Sequence, residues 1–303
     1  MKKIILMIST AIMLFALDVP QNHLATTDWL KNNIIDKNLV IIDTRKKEEY
    51  TKSHIQGAIN YPKATFFQGK LGNIPKLPNT MLQMQKILQD AGVTERSVIV
   101  FYSAGKKNKD FADAASGMWN TWLYGFQNSA ILDGGFAKWS FEKKHTTKTV
   151  PTITKSNIEL DIYDKTIIAS LNDILEAQYS DEKQITDARV GKFYRGEDKR
   201  KDLKRHGRIP TAKLTPTIRY VKKSNDYFEF ISKKDATKTL HNGGFGIELN
   251  KPVTIYCNTG HKARGLWFVS KFIIGIKDVK VYDGGIVEYS KSNLPMENGE
   301  SME

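Results

Sequence analysis

The stretch Val253-Thr254-Ile255-Tyr256-Cys257-Asn258-Thr259-Gly260-His261-Lys262-Ala263-Arg264-Gly265-Leu266-Trp267-Phe268 reads as an apolar strand, a short polar loop and a helix. Val253 to Tyr256 is a β-branched and aromatic run of strand length. It delivers the only cysteine of the chain, Cys257, into a loop with Gly260, and helix-compatible sequence resumes at about Ala263. Such a loop between a strand end and a helix start can aim successive backbone N–H groups at one point, where the helix N-terminus adds partial positive charge. A thiolate at Cys257 would be stabilised there, and the thiolate is the nucleophilic form of cysteine. A lone cysteine can also be a small buried hydrophobe. The run Asn258 to Lys262, with nothing apolar to bury, points instead to use.

The 303 residues are 40% hydrophobic and suit two domains. Lys2 and Lys3 precede an apolar run from Ile4 to Ala16, followed by Asp18 and Pro20, the pattern of a secretory signal peptide over residues 1–17, too short for a membrane span. The expectation is a periplasmic or secreted protein with no stable membrane span after cleavage. One cysteine cannot form a disulfide within its own chain, so Cys257 is an unpaired thiol in an oxidising compartment. The net charge of +13 favours anionic partners. Nucleic acid is not expected among them, because no zinc-ligand, base-stacking or helix-turn-helix pattern is present. The six histidines show no ligand spacing, and no metal or other cofactor is expected.

Working outward, the landmarks recur. Asn38 to Asp43, Ser97 to Tyr102 and Ser129 to Leu132 read as buried strands, with helices expected at about Asn79 to Ala91 and Asp110 to Tyr124; this alternation argues a parallel α/β sheet. Asp43-Thr44-Arg45 matches Asp187-Ala188-Arg189; His54 to Ala58 matches the segment from His206 to Ala212; Val98 to Tyr102 matches Val253 to Cys257; Asp133-Gly134-Gly135 matches Asp283-Gly284-Gly285. Four landmarks in one order mark a duplication. This alignment sets Tyr102 opposite Cys257, so the first copy has no thiol.

In these features the chain resembles the tandem-domain rhodaneses, the sulfurtransferases acting on thiosulfate or 3-mercaptopyruvate. The resemblance implies an α/β fold of two tandem domains, each a mostly parallel sheet flanked by helices. The expected plan is a domain without the cysteine at 18–145, a linker at 146–163, the catalytic domain at 164–295 and a polar tail at 296–303. It further implies that Cys257 takes a sulfane sulfur from a small anionic donor, thiosulfate before 3-mercaptopyruvate, and passes it to cyanide, a thiol or an acceptor protein. Arg189 would bind the donor or, read without the family, would pair with a nearby carboxylate. His261 would be a protonated neighbour of the thiolate or a polar residue facing water, and Lys262 would attract the donor or begin the helix surface; both are carried forward with Arg189 as substrate-binding residues. Asn258, Thr259 and Gly260 form the active-site loop. Its interior departs from the loops of both well-known enzyme classes, so it assigns neither donor. The basic segment from Lys192 to Arg208 would steer anions or lie solvated.

A thiol phosphatase needs an arginine six residues after its cysteine for bidentate phosphate contact. Ala263 stands there and Arg264 comes one residue late. The rival from another class is a sulfur carrier that holds a persulfide without turnover.

Overall fold

The computed structural model describes residues 17–67, 70–71, 74–198, 200–242 and 246–299. The expected leader up to Ala16 and Lys199 of the basic segment lie outside them. Among the described residues no helix is long and apolar enough to cross a membrane.

The strands Leu24–Ala25, Ser129–Leu132, Val98–Tyr102, Leu39–Asp43 and Ile59–Asn60 form one five-stranded sheet in that order. Ile168–Ala169, Val279–Tyr282, Val253–Tyr256, Gln184–Asp187 and Lys213–Leu214 form the second in the same order. Every pairing in both is parallel. The central strands are apolar runs because helices cover both faces. The duplication is therefore one of topology as well as landmarks, and the α/β fold with two tandem sheets is as the sequence predicts.

Local signals place the helices. Thr80 and Gln83 form a reciprocal cap on the helix Met81–Asp90. Thr146–Thr147 pairs with His54–Ile55, and the chain after it lies against that capped helix: Ser156 donates to the Gln89 carbonyl at 3.0 Å, and Leu160 to the Gln85 side chain at 2.9 Å. The described part of the expected tail is engaged, not free. Arg208 and Glu297 exchange backbone hydrogen bonds of 2.7 and 3.1 Å.

The halves share one apolar core, to which the first contributes Trp119 and Trp122 and the second Trp267 and Phe268. Trp122 meets Trp267 edge-on at 5.8 Å. The helices Phe111–Leu123 and His261–Phe268 pack closely, since a methyl on Gly265 would lie 3.1 Å from Ala112 Cβ. This contact brings the loop after Val253–Tyr256 against the first half.

Candidate active site

Cys257 closes its strand and is 2% exposed. Every carbonyl of its loop is engaged. Those of Cys257 and Asn258 accept from Ile286 and Val287 at 2.9 and 3.2 Å, and those of Thr259 and Gly260 from His261 and Arg264, both at 2.9 Å. With the carbonyls committed, the N–H groups are left over. Among the described residues no acceptor takes those of Asn258, Thr259, Gly260, Lys262 or Ala263, so the loop and the helix start form a nest suited to an anion.

Gly260 makes this turn at φ +76°, and a Cβ there would stand 2.1 Å from Asp283 Oδ1. Arg264 holds that carboxylate in place through Nε at 3.0 Å and Nη2 at 2.6 Å. Burial pushes the Asp283 carboxyl up, against the opposing pull of Arg264. The arginine that arrives one residue too late for phosphatase chemistry is thus the brace of the loop, and it lies over Trp119 of the first half at 4.5 Å.

The first half shows what the site is not. Asp43 aligns with Tyr102 and Asp187 with Tyr256. The Tyr102 hydroxyl accepts from Ile55 N–H at 3.3 Å, and that of Tyr256 from Ile209 N–H at 3.2 Å. Tyr102 therefore matches Tyr256, and Ser103 is the counterpart of Cys257. The sequence alignment was one residue out, because the first strand carries one more apolar residue at its start. The same contacts equate Ile55 with Ile209, so Arg208, not His206, stands opposite His54. In the first half the Asp110 carboxylate accepts the N–H groups of Lys106 and Lys107 at 3.0 and 2.9 Å, and burial lifts its proton affinity. The hairpin Val221–Ser224 and Tyr227–Phe230 then covers that loop: Phe228 donates to the Gly105 carbonyl at 2.8 Å, and Lys138 pairs with Glu229 at 2.8 Å. The space left beside Ser103 is about 10 Å3.

Of the expected site residues, the loop members Asn258, Thr259 and Gly260 do surround the nest. Arg189 is paired through two of its nitrogens, while Nη1 has no hydrogen-bond partner among the described residues. It is fully buried, its Nε and Nη2 engage Asp187 at 2.9 and 2.6 Å, and Nη2 also reaches the Gly207 carbonyl at 2.7 Å. Arg45 does the same with Asp43 in the half that lacks the thiol, so the pairing with the nearby carboxylate belongs to the fold. His261 is tied to the first half. Its Nε2 lies 2.8 Å from Asp113 Oδ1 on the first half, and burial outweighs that carboxylate to hold its pKa below the usual value. The Lys262 ammonium has no partner among the described residues, and burial lowers its pKa while the charge of Cys257 opposes that shift. Within the basic segment Lys192 is paired to Asp198, Arg195 to Glu197 and Arg200 to Asp202, which leaves it basic. Asp283 was in view only as a repeat landmark. Asp113 had no signal at all, being 148 residues from His261.

A family model described as a rhodanese-like domain matches residues 26–142 and again 171–292. A protein of Saccharopolyspora erythraea with a provisional thiosulfate sulfurtransferase name is 26% identical over 91% of this chain and 96% of its own length. The sulfur carrier protein TtuD of Thermus thermophilus is 25% identical over 91% and 97%. Among solved structures, the 3-mercaptopyruvate sulfurtransferase SseA of Escherichia coli superposes with a TM-score of 0.73 at 22% identity, covering 86% of this chain and 98% of that one. EanB superposes at 0.77 with 20% identity, covering 92% and 70%. Both likenesses are of fold.

Proposed function

The chain belongs to the rhodanese family of sulfurtransferases, with the domain present twice, and from that premise we propose that it moves a sulfane sulfur from thiosulfate to cyanide or a thiol through a persulfide on Cys257. The Cys257 thiolate attacks the outer sulfur of thiosulfate, the S–S bond of the donor breaks, and sulfite leaves with the bonding pair. Cyanide or a thiolate then attacks the terminal sulfur of the persulfide and Cys257 departs as thiolate. The loop N–H groups would hold the negative charge on the transferred sulfur, and Lys262 would draw in the anionic donor.

The observation that carries this reading is the contrast between the two loops. The loop with the cysteine leaves its N–H groups open, whereas in the loop with Ser103 the Asp110 carboxylate takes those of Lys106 and Lys107. Thiosulfate is preferred to 3-mercaptopyruvate on the names of the relatives that span the chain. Intact mass after a short exposure to thiosulfate tests the first half-reaction. A gain of about 32 Da, lost in Cys257→Ser, is expected; no gain with either donor contradicts it.

The relative named as a sulfur carrier favours a second reading, in which the persulfide is kept for a partner protein. Slow or absent turnover with small acceptors, together with a stable adduct, would select it. The apolar leader supports export, and the N-terminal sequence of the protein recovered from cells tests that.

A further inference from the structure

Asp113 belongs to the half without the thiol, yet its carboxylate lies 2.8 Å from Nε2 of His261, the first residue of the helix that follows the Cys257 loop. We propose that Asp113 is a positioning residue for the sulfur transfer: by holding His261 it sets the loop N–H groups that receive the charge on the transferred sulfur. This rests on the sulfurtransferase reading above, and it gives the half without the cysteine a part in the chemistry.

The packing explains why the two residues meet. The helices Phe111–Leu123 and His261–Phe268 lie against each other where Gly265 leaves room for Phe111 and Ala112. Asp113 follows Ala112, and His261 stands four residues, about one helical turn, before Gly265. Each half also holds the helix start of the other. Phe111 meets Phe230 of the second half edge-on at 4.9 Å, and His261 meets Phe67 of the first edge-on at 6.0 Å. The contact in the cysteine half adds a hydrogen bond.

His261 is the place in the loop where such a hold acts on the most donors. Its own N–H is spent on the Thr259 carbonyl at 2.9 Å, whereas those of Gly260 before it and of Lys262 and Ala263 after it have no acceptor among the described residues. Turning residue 261 therefore swings free N–H groups on both sides. The Lys262 carbonyl, which accepts from Thr217 Oγ1 at 3.0 Å, anchors the far side of this turn. A carboxylate only accepts, so Nε2 carries the proton, and the lowered pKa of His261 leaves the ring neutral. The side chains of His261 and Asp113 are 20% and 19% exposed, so water competes little for the bond. Lys63 is the other partner of the carboxylate, at 3.3 Å. The step served is attack of the Cys257 thiolate on the outer sulfur of thiosulfate, in which the donor S–S bond breaks and sulfite leaves with the bonding pair.

Single-turnover formation of the Cys257 persulfide, followed by quenched-flow intact mass across a range of thiosulfate concentrations, separates the rate of the step from the amount of folded protein. Asp113→Ala should form the adduct about tenfold or more slowly, to the wild-type final extent and with the half-saturating thiosulfate concentration unchanged. Asp113→Asn keeps an acceptor for the Nε2 proton and should stay within about threefold of the wild type. His261→Ala should slow the step about as much as Asp113→Ala, and the double variant no further, because all three lose the same bond. Wild-type rates in Asp113→Ala, a lower final extent at an unchanged rate, or additive losses in the double variant would each overturn the positioning role, while persulfide on wild-type Cys257 would leave the sulfurtransferase reading standing. Absence of any Cys257 persulfide in the wild type overturns both.

Discussion

Ser103 and Cys257 hold the same place in the two halves. Each follows the tyrosine whose hydroxyl accepts an isoleucine N–H, and each offers its carbonyl at 2.9 Å to the residue after a Gly-Gly pair, Phe136 or Ile286. One atom, oxygen for sulfur, is not all that separates them, because Asp110 and the hairpin phenylalanines occupy the first site as well.

Ser103→Cys in a Cys257→Ser background should therefore restore no activity. The new thiol would face a loop whose Lys106 and Lys107 N–H groups are already taken by Asp110 and a space of about 10 Å3. Thiocyanate assay and intact mass after thiosulfate should both be blank; an adduct on the first half would contradict this account of its silence.

The paired arginines give a stability prediction. Removing one partner of a buried ion pair costs about 3–5 kcal/mol, so Arg45→Met and Arg189→Met should lower unfolding free energy in urea by similar amounts. The milder Arg189→Lys should leave the KM for donor unchanged. A rise in that KM with no loss of stability would return Arg189 to the donor site.

Gly260→Ala should damage the loop. A side chain at φ +76° is strained by about 1–3 kcal/mol, and its Cβ would displace Asp283 from Arg264. Persulfide formation should slow markedly while the far-UV spectrum stays that of the wild type. An unimpaired rate would show that the Asp283 brace does not shape the nest.

How far this was readable from the chain can be seen residue by residue. Buried strands, the repeated Asp-x-Arg and Asp-Gly-Gly landmarks and the cysteine loop are local signals, and they brought the duplication and the fold into view. The register of Ser103 was missed because strand length varies while the tyrosine hydroxyl contact that fixes it spans 47 residues. Arg189 was readable as a partner of Asp187, two residues away. His261 with Asp113 could not be read at all, since the pair forms only when the two halves dock.

Lys262 carries the pH dependence. Burial lowers its pKa from 10.5, so the ammonium loses its charge at a lower pH than an ordinary lysine. The kcat/KM for thiosulfate should fall as pH rises through that lowered value. Lys262→Arg, whose guanidinium stays charged, should abolish this limb, and Lys262→Met should depress the whole profile. A limb that persists in Lys262→Arg would assign it to another group.

The most direct test of the central claim is thiocyanate production from cyanide by the purified protein, with thiosulfate and 3-mercaptopyruvate run side by side and Cys257→Ser as control. Turnover with thiosulfate that vanishes in Cys257→Ser is the predicted result. Turnover that survives the loss of this thiol, or none with either donor and no adduct on Cys257, would contradict it.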